Sequence, residues 1–287
     1  MAMKIYSKNY KQVIEKIFET KQHFFNTFGG GLQVAEGAEY DKDFLHLKIS
    51  PTNVVINKYD KGENVAFGTG TGNSNRFGPR QEIKSIDKAV QYDEPIAIHE
   101  GIDRFTVNDV PAQVLAERAA LHAEKWVEYL NDYMSKILDA NAGVTKQAAM
   151  TEEALIKLFF EARKEFVNKK VSKSRTWNAY VTPDIYDLLI GAKLTTTAKN
   201  SSANVDEQIL NKFKGFILRE LPEEYFQKNT AAIFVPDNIG VVGLGIETYR
   251  TIDSSDFNGI AIQGAGQLAN YVPDDNKVAI IKAQIAG

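Results

Sequence analysis

The chain has 287 residues, 44% of them hydrophobic, and a net charge of −3: enough apolar residue for a packed core, too little charge for a global attraction to nucleic acid or an anionic membrane. It contains no cysteine, which excludes disulfides, thiolate metal sites and cysteine nucleophiles. No apolar run approaches the roughly 20 residues that cross a bilayer, and Lys and Glu interrupt residues 1–28 where a secretory leader needs an unbroken apolar stretch, so a soluble, intracellular protein is expected.

The N-terminal stretch reads as an amphipathic helix. Tyr10, Val13, Ile14, Ile17, Phe18, Phe24 and Phe25 recur at helical spacing, and Gly29-Gly30-Gly31 stops it. Phe18, Phe24, Phe25 and Phe28 are a heavy aromatic load for a terminus, which normally frays unless it docks. Two docking sites fit equally: the chain's own core, or a neighbouring subunit.

From Leu45 to Ser50 apolar and polar residues alternate, and Val54-Val55-Ile56 follows Pro51; both are strand signals. Residues 57–80 are turn-like and polar, with a Gly-rich tip at Gly68-Thr69-Gly70-Thr71-Gly72 and with Lys58, Asp60, Lys61, Arg76 and Arg80 among them. Glu82–Tyr92 and Pro95–Ile102 are extended again. The pattern is a long two-stranded excursion. Its tip is no phosphate loop, because Gly72 is followed by Asn73 instead of Lys-Ser/Thr, and no helix follows.

A helix is expected from Asp109 to about Ala140, with Asn108 or Asp109 as N-cap and Pro111 in the first turn. Leu115, Ala119, Trp126, Leu130, Tyr133 and Ile137 share one face; Glu117, Arg118, Glu124, Lys125, Glu128, Asp132, Lys136 and Asp139 share the other. At 1.5 Å per residue this rod is roughly 48 Å long. A coiled coil is the alternative, but Ala and His122 interrupt the seam and no helix of similar length is available as partner. A rod packed on a sheet is the reading adopted.

Thr151-Glu152-Glu153 opens a second helix with apolar Leu155, Leu158, Phe159, Ala162 and Phe166 and a basic end, Lys164, Lys169, Lys170, Lys173 and Arg175. Trp177–Val181 is a strand, Thr182-Pro183-Asp184 starts a short helix ending at Gly191, and residues 195–206 form a polar loop. Strands follow at Gly215–Leu221 and Ala231–Val235, and Ile239–Gln284 is strand-rich, giving an α+β plan.

No catalytic constellation emerges. His23, His46, His99 and His122 are scattered, with no i, i+4 pair. Asp253-Ser254-Ser255-Asp256-Phe257-Asn258-Gly259 lacks the ligand pattern and bidentate Glu of a calcium loop and reads as a turn. No catalytic, cofactor or metal residue is assigned, and no enzyme is expected.

This order of parts resembles the major capsid protein of tailed bacteriophages, the HK97-type coat fold. The resemblance is carried by the aromatic arm, the extended loop, the long spine helix at 109–140, and the helix at 151–170 leading into Trp177-Asn178-Ala179-Tyr180-Val181-Thr182-Pro183-Asp184. Phe257–Ile262 and Lys277–Ile281 look like the family's returning peripheral strands. It implies an α+β coat subunit with an N-terminal arm (1–49), an extended β-hairpin loop (50–100), a peripheral domain with the spine helix (101–140 and 246–287) and an axial domain (141–245). It further implies hexamers and pentamers of an icosahedral shell around double-stranded DNA, assembled in the host bacterial cytoplasm, with no cofactor and no membrane. Portal and a separate scaffold protein are the expected partners, because only a short arm precedes the loop. Some family members crosslink a Lys to a neighbour's Asn; Lys58 and Lys61 lie in the right loop, but no Asn or Glu can be assigned to them, and no crosslink is expected. Interface residues implied are Lys58, Asp60, Lys61, Arg76, Arg80, Phe18, Phe24 and Phe25, with Lys169, Lys170, Lys173 and Arg175 facing the interior or a subunit seam. The rivals are an encapsulin-like compartment, a phage tail or adhesion module, and an enzyme with an unrecognised site.

Overall fold

The computed structural model describes residues 4–5, 22–24, 26–29, 33–36, 43–50, 52, 54–63, 65, 75–105, 111–191, 203–204 and 209–285. The chain forms β1 (Lys4–Ile5), β2 (Gln33–Glu36), β3 (Asp43–Ile49), β4 (Ile86–Gln91) and β5 (Ile96–Asp103), then helix α1 (Pro111–Ala140). β6 (Val144–Ala148), α2 (Glu152–Asn168), β7 (Trp177–Val181) and α3 (Pro183–Gly191) follow, then short β8 (Ala203–Asn204), β9 (Ile209–Leu210) and β10 (Lys212–Phe213). β11 (Phe216–Glu220), β12 (Thr230–Pro236), β13 (Val241–Asp253), β14 (Gly259–Tyr271), the one-turn α4 (Asp274–Lys277) and β15 (Ile281–Ile285) complete the order. Two units result: residues 43–91, and the remainder.

The larger unit holds two main sheets. In one, β13 and β14 form a long antiparallel ladder, with β5 on the outer edge of β14 and β1 and β2 pairing with β13. The other runs β10-β11-β7-β12-β15-β6. All five residues of β7 and all seven of β12 are buried, because both faces of this sheet are covered. Trp177, Ala179, Val181, Ala232 and Phe234 face α2 and α3; Tyr180, Ile233 and Val235 join the core that contains α1. Helix α1 brings Trp126, Val127, Leu130, Met134, Ile137 and Leu138 to that same core, together with Val242, Leu244, Ile246, Tyr249, Ile262 and Leu268 of the long ladder.

Helix α2 follows its sequence signals. Thr151 Oγ1 accepts a hydrogen bond from Ala154 N at 3.4 Å, Glu152 and Glu153 lie in the first turn, and the expected apolar residues are the buried ones. Its end is a Schellman motif: Lys170 N donates to Val167 O (3.0 Å), Val171 N to Phe166 O (2.9 Å), and Lys170 takes the left-handed position at φ 56° that glycine usually fills. Lys169, the C-cap, and Lys170 therefore lie just past the last helical turn, which itself contains no cation.

Several expectations change. Val54-Val55-Ile56 forms no strand; Val54 is 92% and Ile56 94% exposed. The excursion's ladder is β3 with β4, Asp43 opposite Gln91 to Ile49 opposite Ile86, whereas β5 pairs with β14 in the larger unit. The last strand does not return to the β13–β14 sheet: β15 lies between β12 and β6, because Ile281 and Ala283 bury against α2's core. Asp139, expected on the solvent face of α1, accepts hydrogen bonds from Thr230 Oγ1 (2.7 Å) and Lys282 Nζ (2.8 Å). Residues 22–24 and 26–29 form bends and turns instead of helix, and the rest of the predicted N-terminal helix lies outside the described residues, as do the Gly-rich tip and most of the 195–206 loop.

The core under α2 is aromatic. Phe159 meets Phe234 at 4.9 Å and Phe213 at 5.1 Å between ring centroids, both edge-on, and Phe166 meets Trp177 at 5.2 Å. Phe159→Ala leaves a cavity at the centre of this cluster; urea unfolding is expected to register a loss of about 3–5 kcal/mol, while Lys170→Gly relieves the left-handed lysine and gains up to about 1 kcal/mol.

Candidate interface surfaces

The smaller unit is tied along its length by side chain and backbone. Thr52 Oγ1 donates to Glu82 O (3.3 Å) and accepts from Lys84 N (3.1 Å); further out, Asp60 N donates to Arg76 O (2.9 Å). Arg76 reaches Val65 O (3.2 Å) and Gly62 O (3.3 Å), and Asp60 Oδ1 accepts from Gly62 N (2.9 Å). Asp60 and Arg76 thus hold the loop together, while Lys58, Lys61 and Arg80 are exposed. Seven of the fourteen exposed large apolar side chains among the described residues lie in this unit of 49 residues: Val54, Val55, Ile56, Tyr59, Phe77, Ile83 and Ile86. Half of the exposed large apolar side chains among the described residues therefore lie on this one short segment.

The arm behaves differently at the positions that can be described. Phe24 is fully buried and packs against the Tyr180 ring, tilted, at 4.6 Å between centroids. The Tyr180 hydroxyl donates to His23 O (3.2 Å) and lies 2.7 Å from Thr27 Oγ1; burial pushes its pKa up to about 12. Asn131 Oδ1 on α1 accepts from His23 N at 3.1 Å. Phe24 therefore serves the chain's own core. Phe18 and Phe25 lie outside the described residues.

A second surface is polar and sits where β5 crosses α1. Arg118 grips Glu100 with two nitrogens, Nε to Oε2 at 2.7 Å and Nη2 to Oε1. His122 Nε2 lies 2.8 Å from Glu100 Oε2, and its Nδ1 lies 3.2 Å from the Tyr249 hydroxyl. The hydrogen bond from Arg118 holds the Glu100 carboxyl below the usual glutamate range, against the opposing effect of burial. His122, which interrupts the apolar seam of α1, is buried; its link to Glu100, 22 positions away, had no local signal.

A third feature is a cavity of about 450 Å³ between the end of α2 and the β10–β11 hairpin, lined by Arg163, Lys173, Arg175, Trp177 and Lys212. Lys173 and Arg175 of the predicted basic cluster come together here; Lys169 and Lys170 are exposed at the helix end. Arg163 and Lys212 were not anticipated, because they are far apart in sequence. Among the described residues no group of three His, Asp or Glu is gathered for a metal, and no helix is long and apolar enough to cross a membrane.

No family model matches the chain, and no curated protein matches it. Solved structures do. The mature capsid of bacteriophage PhiM1 superposes with a TM-score of 0.64 at 11% identity, covering 93% of this chain and 88% of that one. The capsid of cyanophage P-SCSP1u gives 0.62 at 12%, covering 89% and 86%. The capsid of Ralstonia phage GP4 gives 0.59 at 12%, covering 100% and 93%. The fold is the HK97-type coat fold. At this identity the likeness is one of fold, and individual side chains are this chain's own.

The Glu100 site gives a pH test. A carboxyl held below its ordinary pKa contributes stability that is present above the unfolded value and is lost as pH falls through the folded one. Unfolding measured from neutral pH down to about pH 3 should therefore find Glu100→Gln less stable than the parent at neutral pH, the gap narrowing as the parent's Glu100 protonates.

Proposed function

We propose that the chain is the major coat subunit of a tailed bacteriophage, a non-enzymatic protein whose hexamers and pentamers build an icosahedral shell around double-stranded DNA. The observation that carries this reading is the coat fold extending over 93% of the chain, with phage capsids as neighbours. The cluster of exposed apolar side chains in residues 43–91 supports it, since their cover must come from elsewhere. In this reading the loop packs over a neighbour in the same ring. Lys58, Lys61 and Arg80 face charges across the seam, and the apolar residues carry most of the contact energy because exposed ion pairs contribute only about 0–1 kcal/mol each. A separate scaffold protein, a portal and the virion location in a bacterial host belong to the same proposal.

The test is assembly. Purified protein, with crowding agent or co-expressed scaffold, should form closed particles in the electron microscope. Particles filled with an enzyme cargo would point to a compartment, and a persistent monomer or short tube to a tail or adhesion module. Deleting residues 60–78 and joining the strands by a short turn should leave a folded subunit that builds no stable shell; normal shells from this variant would show that the loop is dispensable.

A further inference from the structure

We propose that the cavity between the end of α2 and the β10–β11 hairpin binds the phosphodiester backbone of double-stranded DNA; the choice of DNA as ligand rests on the coat-subunit reading. The cavity, about 450 Å³, is lined by four cations, Arg163, Lys173, Arg175 and Lys212, and by no carboxylate. Residues 163–175 and 212–214 carry eight cations and one carboxylate in a chain of net charge −3. That carboxylate, Glu165, is engaged by Lys146 at 3.3 Å. Among the described residues Arg163 and Lys173 have no ion-pair partner. A field this concentrated in an acidic chain is poorly explained as solubilising charge, and the α2 dipole does not account for Lys212 and Lys214, which come from another element.

The walls place Arg163 and Arg175. Lys214 and Gly215 form a two-residue hairpin turn with both residues in the left-handed region, φ 48° and 95°. A Cβ on Gly215 would lie 4.0 Å from Arg163 Nε, so the guanidinium stands over the turn. Lys214 Nζ sits 4.5 Å from the Phe160 ring centroid. On the opposite wall Trp177 Nε1 donates to Ser172 O (3.1 Å), the Ser172 and Ser174 hydroxyls pair at 2.8 Å, and Arg175 Nη1 donates to Asn238 O (3.1 Å). Lys164, Lys169 and Lys170 are exposed beyond the cavity. A single free anion would be satisfied by the lining cations; the charge extending past them fits a ligand with phosphates in series.

The test uses the full-length unassembled subunit and a fluorescently labelled duplex of about 20 base pairs, with anisotropy followed between about 50 and 200 mM salt. Arg163→Gln with Lys173→Gln, two exposed positions, is compared with Lys125→Gln with Lys136→Gln on α1, which removes the same charge elsewhere. The parent should bind the duplex. The cavity variant should bind at least tenfold more weakly at low salt, its log–log salt slope falling by about 2, while the α1 variant follows the parent. Equal losses in the two variants, or no binding by the parent, overturn the proposal. Inorganic phosphate that displaces the duplex far beyond chloride at equal ionic strength assigns the cavity to a free anion and also overturns it. So does a cavity variant that keeps duplex binding but loses shells, since that outcome assigns the cations to a neighbour's carboxylates. Particle formation by the parent, scored separately by microscopy, reports on the coat reading itself: particles without cavity-dependent duplex binding refute the cavity alone, and duplex binding without particles refutes the coat reading alone.

Discussion

Burial of α1 is the constraint on which the larger unit depends. The helix contributes Ala123, Trp126, Val127, Leu130, Met134, Ile137 and Leu138, each 6% exposed or less, to a core shared by the β13–β14 ladder and by one face of the β7–β12 sheet. At about 1.5–3 kcal/mol for each large side chain, its burial is on the order of 10 kcal/mol, comparable with the whole net stability of a domain. Without the helix, Leu244, Ile246 and Leu268 of the ladder and Ile233 and Val235 of β12 would lose common cover. The six-stranded sheet is thus committed on both faces, α1 on one and α2 with α3 on the other, and its central strands can be apolar throughout.

Polar groups on the buried side of α1 fix what apolar packing leaves free. Asn131 holds the arm at His23, Ser135 Oγ donates to Tyr225 O, and Asp139 joins β12 to β15 through Thr230 and Lys282. Tyr133 donates to Asp93 and accepts from Asn270 Nδ2; burial, and then the bond to Asp93, keep its phenol well above the ordinary range, against the opposing effect of the bond from Asn270. Each link is directional, and together with the Glu100–Arg118 pair they set the helix's register against several different segments.

What the larger unit satisfies internally, the smaller one does not. A two-stranded ribbon is marginally stable in water, and this one keeps its two limbs aligned through Thr52 and the Asp60–Arg76 bond while leaving Val54, Ile56, Phe77 and Ile83 exposed. Under the proposed function that exposure is the assembly device: apolar area left uncovered in one subunit is buried by a second copy. The cationic cavity is a feature of another kind, polar and built on helix end and hairpin, and it serves a charged ligand under the same reading.

The sequence alone determined α1, α2 and α3, because their signals are local. Thr151 before two glutamates, Pro183 after Thr182, and the 3.6-residue periodicities of α1 and α2 each lie within a few neighbouring residues. The order of those elements was enough to suggest the coat fold, and alternation identified β3. Only the tertiary structure decided which sheet each strand joins: β5 leaves the excursion for β14, and β15 crosses to β12, because strand pairing is settled by which core a face fills, over separations the local pattern does not encode. For the same reason Val54-Val55-Ile56, with strong strand propensity and no partner, stays unpaired. The surface residues followed suit. Asp60 and Arg76 looked like seam charges and turned out to close their own loop, and Arg163 and Lys212 reached the cavity from elements 49 positions apart, joined only when α2 packs on the sheet that β10 and β11 border.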